Sequence, residues 1–155
     1  MTRSLSVLLL ALASVACSAK RLPGTDIRET PDTKAIYEVV QEYVRAMNAR
    51  DPAAVLAQVA PDYFDDAGTP EPADDLDRRG LEKALAEDLA RIDSTRLSLT
   101  LRKIEAQDAT GFAEVFYESY YRVQTASGPV ARRDSDVHRI RLKRVEGAWK
   151  ISGGL

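Results

Sequence analysis

The sequence has few of the side chains from which metal centres and redox sites are built. Its 155 residues include one cysteine, Cys17, and one histidine, His138. A single cysteine forms no internal disulfide, and this pair is too small for a zinc site. No glycine-rich phosphate-binding loop is present. We therefore expect no metal and no cofactor, and a fold that depends on burial of its apolar core.

The chain also lacks an excess of charge of either sign. It has 22 Lys and Arg against 24 Asp and Glu, a formal net charge of −2. Nucleic-acid binding needs a clear basic excess on one face, so we expect no nucleic-acid partner. The hydrophobic fraction of 45% and the chain length are those of one globular domain.

The N-terminus has the pattern of an export signal. Arg3 precedes an apolar run at 5–16 that is too short to span a bilayer as a helix. Cys17 ends the stretch "SVAC", which resembles a bacterial lipobox. The resemblance implies a signal peptide at 1–16, a lipid anchor on Cys17 and a place in the bacterial cell envelope. The alternative is an ordinary secretory signal with a leftover cysteine.

Two further expectations follow from the residues around the cysteine. Ser18 stands where an aspartate would favour the inner membrane, so the lipobox resemblance implies the outer membrane, facing the periplasm. Residues 17–32 are polar and contain two prolines and a glycine. This composition predicts a tether between the lipid and a domain at 33–155.

The sequence pattern of the domain predicts helices followed by strands. Apolar residues recur at helical spacing over about 33–49 and 78–92, and Asp51-Pro52 begins a short helix that Pro61 ends. Later, apolar and polar residues alternate, which predicts a four-stranded antiparallel meander and an α+β fold, with a further short strand near Tyr63. The four strand segments are 96–104, 112–123, 130–145 and 147–155.

The charges of the second and third strands suggest a register. If the turn lies at Gly128-Pro129, opposite charges face each other on one side of the sheet. The other side then places His138 and Asp136 on the core face, near tyrosines. The predicted pairs are Glu114 with Lys143, Glu118 with Arg139, Val115 with Leu142, Tyr117 with Ile140, Ser119 with His138, and Tyr121 with Asp136.

Three stretches carry a resemblance to a known superfamily. "IYEVVQEYVRAMNARDPAAVLAQVAPDYFDD", "GLEKALAEDLARI" and "HRIRLKRVEGAWKISGGL" resemble nuclear transport factor 2-like proteins, which include ketosteroid isomerase and the SnoaL-like polyketide cyclases. The resemblance covers nearly all of 33–155. It implies a cone-shaped fold, with three N-terminal helices packed on a curved antiparallel sheet and a pocket at the open end. Members range from isomerases and dehydratases to binding modules, so the fold does not give the function.

The resemblance also supplies catalytic candidates. Ketosteroid isomerase uses a base carboxylate, with a tyrosine and a protonated acid that bind the oxyanion. His138 falls where the family has the acidic residue, which argues against the same activity. It is competent as a general acid or base, or as a structural donor to Asp136 or a tyrosine. The matching positions are Asp65 or Asp66 for the base, Tyr37 or Tyr43 for the tyrosine, and Asp136 or His138 for the acid.

Two residue sets follow from the strand alternation. The inner set is predicted to bind a small apolar or amphipathic ligand, with plain core packing as the alternative. It comprises Tyr63, Tyr117, Tyr121, Asp136, His138 and Trp149. The outer set is predicted to form a homodimer interface. It comprises Ile104, Phe112, Phe116, Tyr120 and Val137.

These features leave three functions open. The leading one is a lipid-anchored, non-catalytic binding module. The second is an isomerase, cyclase or dehydratase-type enzyme that uses His138 with Asp136 or Asp65. The third is a protein-interaction module in an envelope assembly.

The acidic run "DDAGTPEPADDLD" lacks the spacing of a calcium loop, so we predict a solvated loop over the pocket mouth.

Overall fold

Three helices precede a four-stranded antiparallel sheet in the computed structural model, which describes residues 19–155. The predicted signal peptide and Cys17 lie outside these residues. The arrangement confirms the predicted α+β class, and the sheet order β3-β4-β5-β6 confirms the meander. The elements are α1 (Pro31–Ala49), α2 (Pro52–Ala57), β1 (Phe64–Asp65), β2 (Leu76–Asp77), α3 (Arg78–Arg91), β3 (Ile92–Gln107), β4 (Thr110–Thr125), β5 (Gly128–Val145) and β6 (Ala148–Gly153).

Side-chain caps define where the helices begin. Thr30 and Thr33 form a capping box, in which each hydroxyl accepts a hydrogen bond from the other residue's backbone N–H. Helix α1 therefore starts two residues before the predicted position. Asp51 and Asp77 cap α2 and α3, and each carboxylate accepts the backbone N–H three residues later. No helix among residues 19–155 is long and apolar enough to cross a membrane.

The core lies between α1 and the inner face of the sheet. Ile36 and Val40 of α1 are fully buried, as the helical spacing of apolar residues predicts. They belong to one cluster with the inward residues of the strands and with side chains of α2 and α3. The strand residues of this cluster are Leu101, Ile104, Ala113, Val115, Ile140, Leu142, Trp149 and Ile151.

The segment predicted to be a tether is folded from Lys20 onward. Arg21 and Arg28 form an antiparallel bridge, and the backbone N–H of Glu29 donates to the carbonyl of Lys20 at 2.7 Å. The turn between them places Leu22, 2% exposed, in the core cluster. The folded unit thus begins before residue 33. Pro23 and Gly24 lie in a turn that packs on the domain, and this stretch is not a free linker.

This packing makes Leu22 a test of the boundary. We expect Leu22→Ala to lower the free energy of unfolding by about 2–3 kcal/mol, because it removes buried methyl groups and leaves a cavity. A residue in a free tether would give no change. Urea denaturation measures the difference, and Lys20→Ala, at an exposed side chain of the same segment, serves as the control.

The register between β4 and β5 differs from the predicted one. The hairpin turns at Ala126-Ser127, so Glu114 pairs with Arg139 in place of Lys143. The Thr125 hydroxyl closes this turn by donating to the carbonyl of Gly128 at 2.6 Å. All six predicted pairs are wrong by the same four residues. Because four is even, each side chain stays on its predicted face of the sheet.

A second correction concerns the outer set. A β-bulge between Leu101 and Lys103 adds one residue to β3 and reverses the facing of the residues that follow. Ile104 therefore points inward, pairs with Ala113 and is only 8% exposed. It does not belong to an exposed interface, and the predicted homodimer set is reduced to Phe112, Phe116, Tyr120 and Val137.

Candidate functional site

A cavity of about 650 Å³ lies between α3 and the inner face of β3, β4 and β5. The C-terminal half of α1 closes one side of it. Its volume is in the range of small-molecule sites, and its walls are mostly aliphatic. The apolar lining is Met47, Leu76, Leu81, Ala84, Leu85, Leu89, Ile92, Leu97, Leu99, Val115, Val123, Ile140 and Leu155.

The hydroxyl of Tyr43, like those of Thr95 and Tyr121, lines the cavity without a hydrogen-bond partner within residues 19–155. Tyr43 of α1 lines the cavity, and none of residues 19–155 exchanges a hydrogen bond with its hydroxyl. Burial alone raises the pKa of Tyr43 to about 12. The phenol is therefore neutral over the physiological pH range, with a proton available to an acceptor inside the cavity.

His138 lies in the wall on the side of the sheet. Its Nε2 is 3.0 Å from the carbonyl oxygen of Gly154, and its ring meets Tyr117 edge-on at 6.5 Å between centroids. If Nε2 carries the proton, it donates to that carbonyl, which leaves Nδ1 as an acceptor. The even register shift keeps His138 on the inner face, as predicted from the strand alternation.

Tyr117 is bound to a carboxylate that the sequence reasoning missed. Its hydroxyl donates to Oδ2 of Asp134 at 2.6 Å. This bond, with burial as a smaller cause, raises the pKa of Tyr117 to about 12. Asp134 alternates with Asp136 and His138 along β5, so inner-face parity is the sequence signal that could have identified it. The wrong register hid its pairing with Tyr117.

Asp65 lies outside the cavity lining and is engaged by backbone groups. Its Oδ2 accepts the N–H of Gly154 at 2.7 Å and that of Leu155 at 3.2 Å. Its Oδ1 accepts from Nη2 of Arg141 at 3.1 Å. The Tyr63 hydroxyl, 3.4 Å from Oδ2, also accepts from the N–H of Leu155. Asp65 and Tyr63 thus hold residues 154–155 against β1, and this occupation leaves Asp65 poorly placed to act as a base.

The remaining predicted site residues divide between cavity and scaffold. Tyr121 lines the cavity. Asp136 does not, and its Oδ1 accepts from the backbone N–H of Val137. Trp149 is buried away from the cavity, where its indole N–H donates to Asp32 at 3.3 Å. The predicted ligand set is thus reduced to Tyr117, Tyr121 and His138. Tyr43, already a candidate for the oxyanion-binding tyrosine, joins it together with Thr95 and Ser119.

The positions transferred from ketosteroid isomerase do not converge. Tyr43 and His138 reach the cavity, whereas Tyr37, Asp65 and Asp66 are absent from its lining. Asp88 of α3 is a carboxylate in the lining, and it pairs with Arg91 one turn along the helix. Within residues 19–155 no cluster of histidine and carboxylate side chains is suited to hold a metal ion.

Solved structures share this architecture, although the chain matches no protein-family model and no curated protein. A ketosteroid isomerase-like protein from Erwinia carotovora atroseptica aligns with a TM-score of 0.67 at 15% identity, over 81% of this chain and 95% of that one. A hexachlorocyclohexane dehydrochlorinase aligns with a TM-score of 0.64 at 16% identity, over 79% and 82%. A protein of unknown function from Mycobacterium tuberculosis aligns with a TM-score of 0.60 at 17% identity, over 79% and 73%. These likenesses establish the nuclear transport factor 2-like fold, and at such identities the fold alone.

Proposed function

We propose that the domain binds a small, largely apolar molecule in the cavity and does not transform it. The supporting observation is the Tyr43 hydroxyl, which opens into an aliphatic cavity of about 650 Å³ with no partner in residues 19–155. No buried side-chain donor among residues 19–155 lacks a partner, so the Tyr43 hydroxyl is accessible from the cavity, where a ligand oxygen would accept its hydrogen bond in place of water. The ligand is therefore expected to carry a carbonyl, ether or hydroxyl oxygen.

The charges around the cavity favour a neutral molecule with one polar end. Asp88 and Arg91 are exposed and pair with each other, so neither presents an uncompensated charge to the interior. Thr95, Ser119 and Tyr121 add hydroxyl groups on the β3 and β4 walls. An amphipathic ligand would place its apolar body against the leucines of α3 and its polar end towards these hydroxyls.

Binding without catalysis is favoured by how the candidate groups are engaged. Asp65 holds the backbone of residues 154–155, and Asp134 accepts from Tyr117. An isomerase or dehydratase-type enzyme is the second candidate, because His138 lies in the cavity wall with one ring nitrogen free of the Gly154 contact. In that reaction His138 would move the proton as general base or acid.

We also propose a lipid anchor at Cys17, an outer-membrane location facing the periplasm, and a role in the cell envelope. These proposals rest on the lipobox resemblance of "SVAC". Mass spectrometry of the protein extracted from membranes would detect the mass of the acyl chains on the N-terminal peptide. An unmodified peptide with a free thiol would refute them.

His138→Ala distinguishes binding from catalysis. We expect the variant to bind N-phenylnaphthylamine, a neutral apolar fluorophore, within about threefold of the parent affinity, since the imidazole supplies little of the apolar lining. Native mass spectrometry of the parent should also show a retained small molecule. Turnover of that molecule by the parent, abolished in His138→Ala, would contradict the binding proposal and support the enzyme.

A further inference from the structure

The outer face of the sheet, the side turned away from the helices, carries a row of aromatic rings covered by cations. Phe112, Phe116 and Tyr120 lie at every fourth position of β4. Arg139 lies 4.3 Å from the centre of the Phe112 ring, and Arg133 lies 5.1 Å from that of Tyr120. The rings are thus flanked by guanidinium groups at attractive distances.

This face differs in charge from the rest of the domain. Its β3–β5 residues include six basic side chains and four acidic ones, leaving aside Arg141 and Lys143, which reach Asp65 and Asp62. Residues 19–155 contain 21 basic and 24 acidic residues, so the rest of the domain has a net charge of −5 against +2 here. The six basic residues are Arg96, Arg102, Lys103, Arg122, Arg133 and Arg139, and the four acidic ones are Asp93, Glu105, Glu114 and Glu118.

We infer that the outer face docks on an anionic phospholipid surface. Arg96, Arg102 and Arg122 form no ion pair within residues 19–155, so their charges are available to headgroup phosphates. Tyr120 and Val137, 43% and 42% exposed, add apolar area between them. Exposed tyrosine beside arginine is the composition of side chains that settle at a membrane interface.

Charge complementarity favours the lipid surface over a second copy of the chain. Two outer faces placed together would bring net positive charge against net positive charge, which opposes association. A bilayer containing anionic lipid offers the opposite sign across the whole face. Each arginine near such a surface strengthens binding by about fivefold.

The N-terminus supplies a second argument, which rests on the proposed lipidation of Cys17. The carbonyl of Lys20 is held by Glu29, so three residue steps separate the folded domain from Cys17. Three steps span at most about 11 Å. A linker this short would keep the domain at the bilayer surface. The high effective concentration of lipid there allows even weak contacts between the outer face and the headgroups to form.

The test compares two variants that remove the same charge. The folded domain, residues 19–155, is sedimented with vesicles of phosphatidylcholine alone or with about one third phosphatidylglycerol. We expect binding only to the anionic vesicles, and binding that weakens as salt is added. Arg96→Gln with Arg122→Gln should weaken it by about 25-fold, about fivefold for each arginine. The control, Arg79→Gln with Lys83→Gln on exposed positions of α3, should change it by less than about twofold, with both variants matching the parent in circular dichroism.

Three results would overturn the inference. Equal binding to both vesicle types would remove the role of charge. An equal loss in both variants would indicate a non-specific attraction of the whole domain. A stable dimer that Arg96→Gln with Arg122→Gln dissociates would assign the face to a second copy. Binding of N-phenylnaphthylamine to the cavity is measured in the same samples, so a failure of the ligand proposal is seen separately. The vesicle test does not depend on lipidation of Cys17.

Discussion

Asp65→Ala is expected to lower the free energy of unfolding by about 2 kcal/mol, chiefly because one buried backbone donor loses its acceptor. The carboxylate, 14% exposed, accepts from the backbone N–H groups of Gly154 and Leu155. Its loss leaves the buried N–H of Gly154 without an acceptor, at about 1–3 kcal/mol. The N–H of Leu155 keeps the Tyr63 hydroxyl as an acceptor and therefore loses less. The pairing with Arg141, whose side chain is 45% exposed, adds little because solvent screens it.

Two neighbouring changes make this result interpretable. Asp66→Ala removes a carboxylate that is 54% exposed and 4.0 Å from Arg141, so we expect a change below about 0.5 kcal/mol. Asp65→Asn keeps one acceptor oxygen and should cost about half of the alanine change. Urea denaturation of all three variants gives the comparison. Equal stability of Asp65→Ala and Asp66→Ala would show that Asp65 does not hold the tail, and would restore it as a candidate base.

Ser119→Trp is expected to weaken binding of N-phenylnaphthylamine by about a hundredfold. Ser119 lies on the inner face of β4 and lines the cavity. An indole at this position would occupy space in the cavity that the ligand needs. A fluorescence titration measures the affinity, and thermal unfolding shows whether the variant keeps its fold.

The matched control is the same substitution on the opposite face of the sheet. Ser98 of β3 pairs with Glu118 and faces outward. Ser98→Trp therefore adds the same side chain to the sheet without entering the cavity, and affinity for the probe should stay within about twofold of the parent. If both variants bound the probe equally well, the ligand site would lie elsewhere in the domain.

The predictions that succeeded rest on periodicity. Apolar spacing located the three helices and four strands, and strand alternation placed His138 inside and Phe116 outside. These assignments survived a register error of four residues, because an even displacement leaves each side chain on the same face. Ile104 was misassigned for the complementary reason. A one-residue bulge between Leu101 and Lys103 is an odd displacement, and no local pattern in "RLSLTLRKI" marks it.

The predictions that failed concern contacts between distant parts of the chain. Asp65 was expected beside His138 in a catalytic site, but it binds residues nearly ninety positions away, at 154–155. Leu22 was assigned to a tether because its neighbours are polar, yet the core accepts its side chain. The Tyr117–Asp134 bond depends on the hairpin turn at Ala126-Ser127, which the sequence alone placed two residues later.

The amino-acid sequence is sufficient to determine the α+β class, the order of the elements and the face of the sheet on which most strand residues lie. Those properties follow from backbone geometry that repeats every two or 3.6 residues, so short stretches encode them. The tertiary structure decides which inward residues share the cavity, leaves the Tyr43 hydroxyl without a partner in residues 19–155, and gathers six basic residues on one outer face. These properties depend on strand offset and on long-range packing, whose free energy is set by the whole fold rather than by any one segment.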